Sequence, residues 1–255
     1  EHVGDMCAIS STVGSNYVIF ENCVNNGEVY GSLRAAGILA TVGCKDNYAD
    51  SQRYGGSLPF IVRGNVNNGE ITGHSHTAGI VGYVYSTATK TDEVIELTFN
   101  VNSGKLNGGG ALNANDEPTD SWISNIMAYA NGQYNEIAYN VGVGEMTFHG
   151  EANCTEPHWT FVGCSTANYE KSELFHDNYI VDVAGVTQYT TYASAEKNAA
   201  NIKDIAWGET NNFVKRVSAD ELKDGSIAYA INSVAKVNGF NQTIGVDMIP
   251  SPLST

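Results

Sequence analysis

One nine-residue phrase returns four times along this chain and limits its fold more than any other feature. It reads Cys23-Val24-Asn25-Asn26-Gly27-Glu28-Val29-Tyr30-Gly31, then Asn65-Val66-Asn67-Asn68-Gly69-Glu70-Ile71-Thr72-Gly73. It comes back as Asn100-Val101-Asn102-Ser103-Gly104-Lys105-Leu106-Asn107-Gly108, and more loosely as Asn140-Val141-Gly142-Val143-Gly144-Glu145-Met146-Thr147-Phe148. The central glycines stand at 27, 69, 104 and 144, so the period is 42, 35 and 40 residues. Recurrence at such intervals marks a solenoid, a propeller or an array.

Each copy shares one grammar. A β-rich run comes first: Tyr17–Phe20, Pro59–Val62, Val94–Phe99 and Glu136–Tyr139. An Asn/Gly turn then opens a short second strand, Glu28-Val29-Tyr30 or Glu70-Ile71-Thr72. A third run follows a small-residue corner: Ala36–Ala40, Ala78–Tyr83 and Gly109–Leu112. Runs of about five residues broken by Asn-Gly fit strands and not helices. Asn and Gly both tolerate the positive φ that a sharp corner requires. A short strand cannot bury its apolar face alone, so each coil needs neighbours above and below.

The pattern predicts an all-β chain: a right-handed parallel β-helix of four to five coils with three short strands per coil. Excursions at 44–58, 85–93 and 113–133 account for the uneven period. The alternative is a propeller, whose blades also recur at about 40 residues but need a fourth antiparallel strand. Met6–Ile9 resembles the third strand of a coil whose other strands are missing, so residue 1 is expected to be a boundary inside a longer chain. Asp177–Asp182 reads as the first face of a fifth coil.

Residues 1–188 are read as the solenoid and 189–255 as a small mixed α/β C-terminal cap. Within the cap, Ser218-Ala219-Asp220-Glu221 is a capping box, Gly225 ends that turn, and Ser226 caps a second helix over 227–233. Residues 239–250 read as a hairpin.

The charge balance is 13 basic against 28 acidic residues, net −15. That argues against nucleic acid and anionic membrane surfaces, which demand Lys/Arg patches, and no apolar run is long enough for a membrane span. The five cysteines, Cys7, Cys23, Cys44, Cys154 and Cys164, show no metal spacing and cannot all pair. Cys23 takes the repeat position of Asn65, and Cys7 aligns with Leu39 and Val81, so both read as buried small residues. Cys154 and Cys164 flank one excursion, where a bridge is open.

Ala78-Gly79-Ile80-Val81-Gly82 following Asn68–Gly73 resembles the GLUG-type repeat of bacterial cell-surface proteins. The stretch Glu221–Asn232 with Gln242–Asp247 looks like the segment that often closes such arrays. The resemblance implies a secreted or wall-attached bacterial protein, often a large adhesin. Similar repeats accompany IgA-specific metalloendopeptidases as non-catalytic stretches, and no H-E-x-x-H occurs here. The fourth copy departs from the pattern, with Val143 for the second Asn and no final Gly.

Candidate chemistry is sparse. His74 and His149 fall at one repeat position with His76 nearby, but two coils apart, about 10 Å, they stand too far for one metal ion. Asp116, Glu117 and Asp120 lie beside Trp122 and Tyr129, which is what a glycosidase or a calcium-dependent sugar binder would use. The plain reading is a solubilising loop with Trp122 packed beneath it. Residues that would stack on a sugar are Trp122, Tyr129, Tyr134 and Trp159. No catalytic set, metal site or cofactor is assigned. The expected function is a non-catalytic extracellular adhesin or spacer meeting a host glycan or protein. The alternatives are a carbohydrate-active β-helix enzyme and a self-assembling surface filament.

Overall fold

The computed structural model describes residues 6–7, 10–13, 18–42, 60–84, 95–110, 121–130, 135–143, 145–148, 158–163, 175–181, 189–192 and 214–237. Their strands form four parallel sheets in register, the arrangement of a parallel β-solenoid. Blades of antiparallel hairpins are not what these pairings make.

The first wall stacks Val18–Glu21, Phe60–Arg63, Ile95–Thr98, Asn135–Ala138 and Phe175–His176. The second wall stacks Val24–Asn25, Val66–Asn67, Val101–Asn102, Val141–Gly142, Asn178–Val181 and Val214–Val217. The third holds Val29–Gly31, Ile71–Gly73, Leu106–Gly108 and Met146–Phe148. The nine-stranded fourth wall is bent: Arg34–Ala36 and Leu39–Val42 in the first copy, His76–Ala78 and Val81–Val84 in the second, and one long strand, Trp122–Ala130, in the third.

Four expectations change here. Among the described residues each of the first two coils has five short strands and each of the next two has four, where three were expected. The repeat phrase itself contains a strand such as Val24–Asn25, and the third run of the first two copies breaks at Gly37-Ile38 and Gly79-Ile80. Gly109 and Gly110 form no strand, and the third run of that copy is Trp122–Ala130, so residues 122–130 are wall and not excursion. Asn178–Val181 pairs with Val141–Gly142 in the second wall, and not in the first, where Phe175–His176 lies. Cys7 pairs with Ala36, three residues from the expected Leu39, which faces Ser10.

The corners are also built differently. Positive φ occurs at Asn22 (63°), Gly64 (64°), Phe99 (58°), Tyr139 (58°) and Asp177 (50°), the residue just before the phrase in each layer. The central glycines have another task. A Cβ on Gly69 would lie 1.9 Å from the Gly27 carbonyl oxygen, and one on Gly104 2.0 Å from that of Gly69. Close stacking demands these glycines.

The interior carries two columns of amides. In the first, Asn65 Nδ2 donates to Asn100 Oδ1 (2.9 Å), Asn100 to Asn140 (3.0 Å) and Asn140 to Asn178 (2.9 Å). Each Oδ1 also accepts the backbone N–H of the preceding layer, from Cys23, Asn65, Asn100 and Asn140. The second Nδ2 proton reaches Phe20, Val62 or Leu97 carbonyl oxygen. Each amide is therefore satisfied, which is what burial demands. Cys23, half-buried and free, stands at the head of this column. In the second column Asn25 donates to Asn67, Asn67 to Asn102 and Asn102 to Asn125, each at 2.8 Å.

A five-residue helix α1 (Ala219–Lys223) and a twelve-residue helix α2 (Ser226–Val237) follow the last strand of the second wall. The Ser218–Glu221 capping box is present in full. Gly225 turns at φ 79°, and Asp224 Oδ1 accepts the Ser226 N–H, so Asp224 and not Ser226 caps a helix longer than expected. Residues 239–250 lie outside the described residues.

Candidate functional site

Alternation along a strand separates the two faces of the bent wall. Ala35, Thr77 and Ile123 are in register and fully buried. Ala35 and Ile123 join the core with Val29, Ile71, Leu106 and Met146. Their neighbours Arg34, His76 and Trp122 form a column on the opposite face. Thr41, Tyr83 and Tyr129 form a second column beyond the bend.

The bend brings the two columns together. The Arg34 guanidinium lies 4.5 Å over the Tyr83 ring, with its Nη1 3.5 Å from Thr41 Oγ1. His76 meets Tyr83 and Tyr129 edge-on at 5.1 and 5.9 Å and lies parallel to Trp122 at 6.5 Å. Trp122 meets Tyr129 edge-on at 4.9 Å. Tyr83 and Tyr129 stack at 5.3 Å. The structure thus joins two of the four sequence-predicted residues, Trp122 and Tyr129, on a sheet face. It adds Arg34 and Tyr83, which sequence reasoning missed, and His76, which it weighed only beside a metal, although His76-x₆-Tyr83 and Trp122-x₆-Tyr129 share a spacing.

The seam's ring faces are largely occupied. Tyr83 has Arg34 on one side and Tyr129 on the other, and Trp122 is only 6% exposed. Solvent reaches the partly exposed Tyr83 and Tyr129. His76 joins Ser75 Oγ through Nδ1 at 2.7 Å. Burial, and then the nearby Arg34 charge, hold its pKa down to about 3, so the ring is neutral at physiological pH.

The other predicted residues are placed as follows. The backbone of Trp159 pairs with Ile123, and that of His158 with Trp122, so Trp159 is one position off the Trp122 column. Tyr134, Asp116, Glu117, Asp120, His149, Cys154 and Cys164 lie outside the described residues. His74 meets Tyr30, its Nε2 3.4 Å from the hydroxyl. Among the described residues no group of three or more His, Cys, Asp or Glu is placed to hold a metal ion, and no helix is long and apolar enough to cross a membrane.

A second titratable group was missed. Glu96 and Glu136 are in register on neighbouring strands of the first wall. Thr98 Oγ1 donates to Glu96 Oε1 at 2.6 Å. Burial, then Glu96, push the Glu136 pKa up, opposed by His176, which itself pairs with Asp177 at 2.8 Å. The signal was column alignment, Ile19, Ile61, Glu96 and Glu136 at one repeat position.

Fold and seam define a parallel β-solenoid with amide columns inside and an aromatic seam along one bend. The chain matches no protein-family model, no curated protein and no solved structure.

Proposed function

We propose that this chain is a non-catalytic segment of an extracellular bacterial surface protein of GLUG-repeat type. In this reading a right-handed β-helix of four to five coils serves as an adhesin or spacer, attached to the cell surface or wall, whose loops and seam edges meet a host glycan or protein. The observation that carries it is the use of the interior polar groups. Asn65, Asn100, Asn140 and Asn178 all bond coil to coil, so the core spends its amides on axial rigidity. Loops on a rigid scaffold carry recognition.

A glycan and host-protein array, run beside a polysaccharide turnover panel, tests this. Retention of one ligand class without turnover is expected. Turnover would support the carbohydrate-active enzyme instead, for which Glu96 beside the raised carboxyl of Glu136 is the best-placed pair; loss of turnover in Glu136→Gln would establish it. The filament reading has less support. Cys23 stands where Asn65 does in the next layer and carries no side-chain amide, so the first column does not continue past it.

A further inference from the structure

The outer face of the second wall is apolar where helix α2 lies and polar or exposed where it does not. Val66, Val101 and Val141 are in register and at most 2% exposed, whereas Val24, next in the same column, is 44% exposed. Two residues along, the repeat position is Asn26, Asn68 and Ser103 in the first three copies and Val143 in the fourth, with Val181 and Val217 on the following strands. Val143, Val181 and Val217 are buried, in one cluster with Val66, Val101 and Val141 and with Leu222, Ile227, Ala228, Ile231 and Ala235 of the helices. The departure of the fourth copy from the motif thus puts Val143 into the apolar cluster that also holds the helices.

The dimensions agree. Twelve residues of α-helix span about 18 Å. Val66, Val101, Val141 and Tyr179 lie on four successive strands, so three spacings of about 4.8 Å cover about 14 Å. The helix is thus long enough to lie across several layers, and its buried face shares one apolar cluster with Val66, Val101 and Val141.

We propose that α2 is a lateral clasp that makes the layers of Val66, Val101, Val141 and Tyr179 open together. A solenoid without such a brace is held by nearest-neighbour contacts and opens from its ends. The clasp ties non-adjacent layers to one rigid element, so no layer is released until the helix lets go.

Hydrogen exchange on the full chain tests this, read at four amides that bond between layers: Val66 N–H to Cys23, Val101 to Asn65, Val141 to Asn100 and Tyr179 to Asn140. In the unaltered chain the four exchange within about threefold of one another. In Ile231→Ala, which removes a buried side chain of α2, they spread over more than about tenfold and grade toward the ends. Should that variant not fold, Ala230→Gly weakens the helix from an exposed position and gives the same spread. The proposal is overturned if the unaltered chain is already graded. It is equally overturned if the variant leaves the four amides unchanged or lowers them together at one rate.

Discussion

Asn102 Nδ2 donates to Asn125 Oδ1 at 2.8 Å, joining the second wall to the bent wall across the interior. Asn125 stands where Gly37 and Gly79 stand in earlier copies, and Gly142 stands where Asn67 and Asn102 do. A Cβ on Gly37 would fall 2.5 Å from Asn67 Oδ1, and one on Gly79 2.2 Å from Asn102 Cγ. Each facing position pairs one glycine with one asparagine, and between Asn125 and Gly142 the two have changed walls.

That exchange predicts strong coupling. Asn125→Gly leaves the Asn102 amide without its acceptor and costs about 1–3 kcal/mol. Gly142→Asn crowds a filled site and costs about 1–3 kcal/mol. The double variant restores the earlier arrangement, so urea unfolding should show the two changes offsetting each other by at least about 1 kcal/mol. Simple additivity would refute the facing rule.

Asn100 sits mid-column, donating to Asn140 and Val62 and accepting from Asn65. Asn100→Ala strands partners on both sides and should cost about 3–5 kcal/mol. A loss below about 1 kcal/mol in denaturant unfolding would mean that the column is not formed.

Two glycines at one repeat position should behave differently. Gly27→Ala meets nothing nearer than Asn25 Oδ1 at 3.6 Å, whereas Gly69→Ala puts a methyl 1.9 Å from the Gly27 carbonyl. Thermal unfolding should leave the first within about 0.5–1 kcal/mol of the parent and lower the second by about 3 kcal/mol or more. Equal effects would contradict the close stacking.

The pH dependence has two opposed parts. His76 titrates at about 3 in the folded chain, below its unfolded value of about 6.5. Its contribution is present above pH 6.5 and is lost as pH falls toward 3, about 1–2 kcal/mol of it by pH 5. Glu136 is raised, so its contribution is present in acid and is lost as pH rises through its folded pKa. Denaturant titrations should show His76→Phe abolishing the acid-side loss and Glu136→Gln abolishing the opposite slope. Unchanged profiles would contradict both placements.

The repeat phrase made the parallel stack legible, because short strands at a fixed interval have few other ways to bury themselves. The task of its asparagines was not legible. Their turn propensity suggested positive-φ corners, and only the register shows Asn65, Asn100 and Asn140 meeting inside. The real corner holds Asn22, Gly64, Phe99, Tyr139 and Asp177, of which Asn22, Gly64 and Asp177 favour positive φ and the two aromatics do not. Phe99 and Tyr139 are costly at positive φ, and their rings stack at 5.2 Å. Trp122 was read on a loop because the chain after Gly108–Gly110 departs from the period, although its spacing to Tyr129 repeats that of His76 to Tyr83. Tyr134 and the carboxylates Asp116, Glu117 and Asp120 remain outside the described residues.

The most direct measurement is the through-hydrogen-bond scalar coupling between side-chain amides of successive layers, from Asn65 Nδ2 to Asn100 Cγ and from Asn100 Nδ2 to Asn140 Cγ. In-register stacking predicts both couplings, with carboxamide protons protected from solvent. Absent couplings together with freely exchanging Asn100 protons would contradict it.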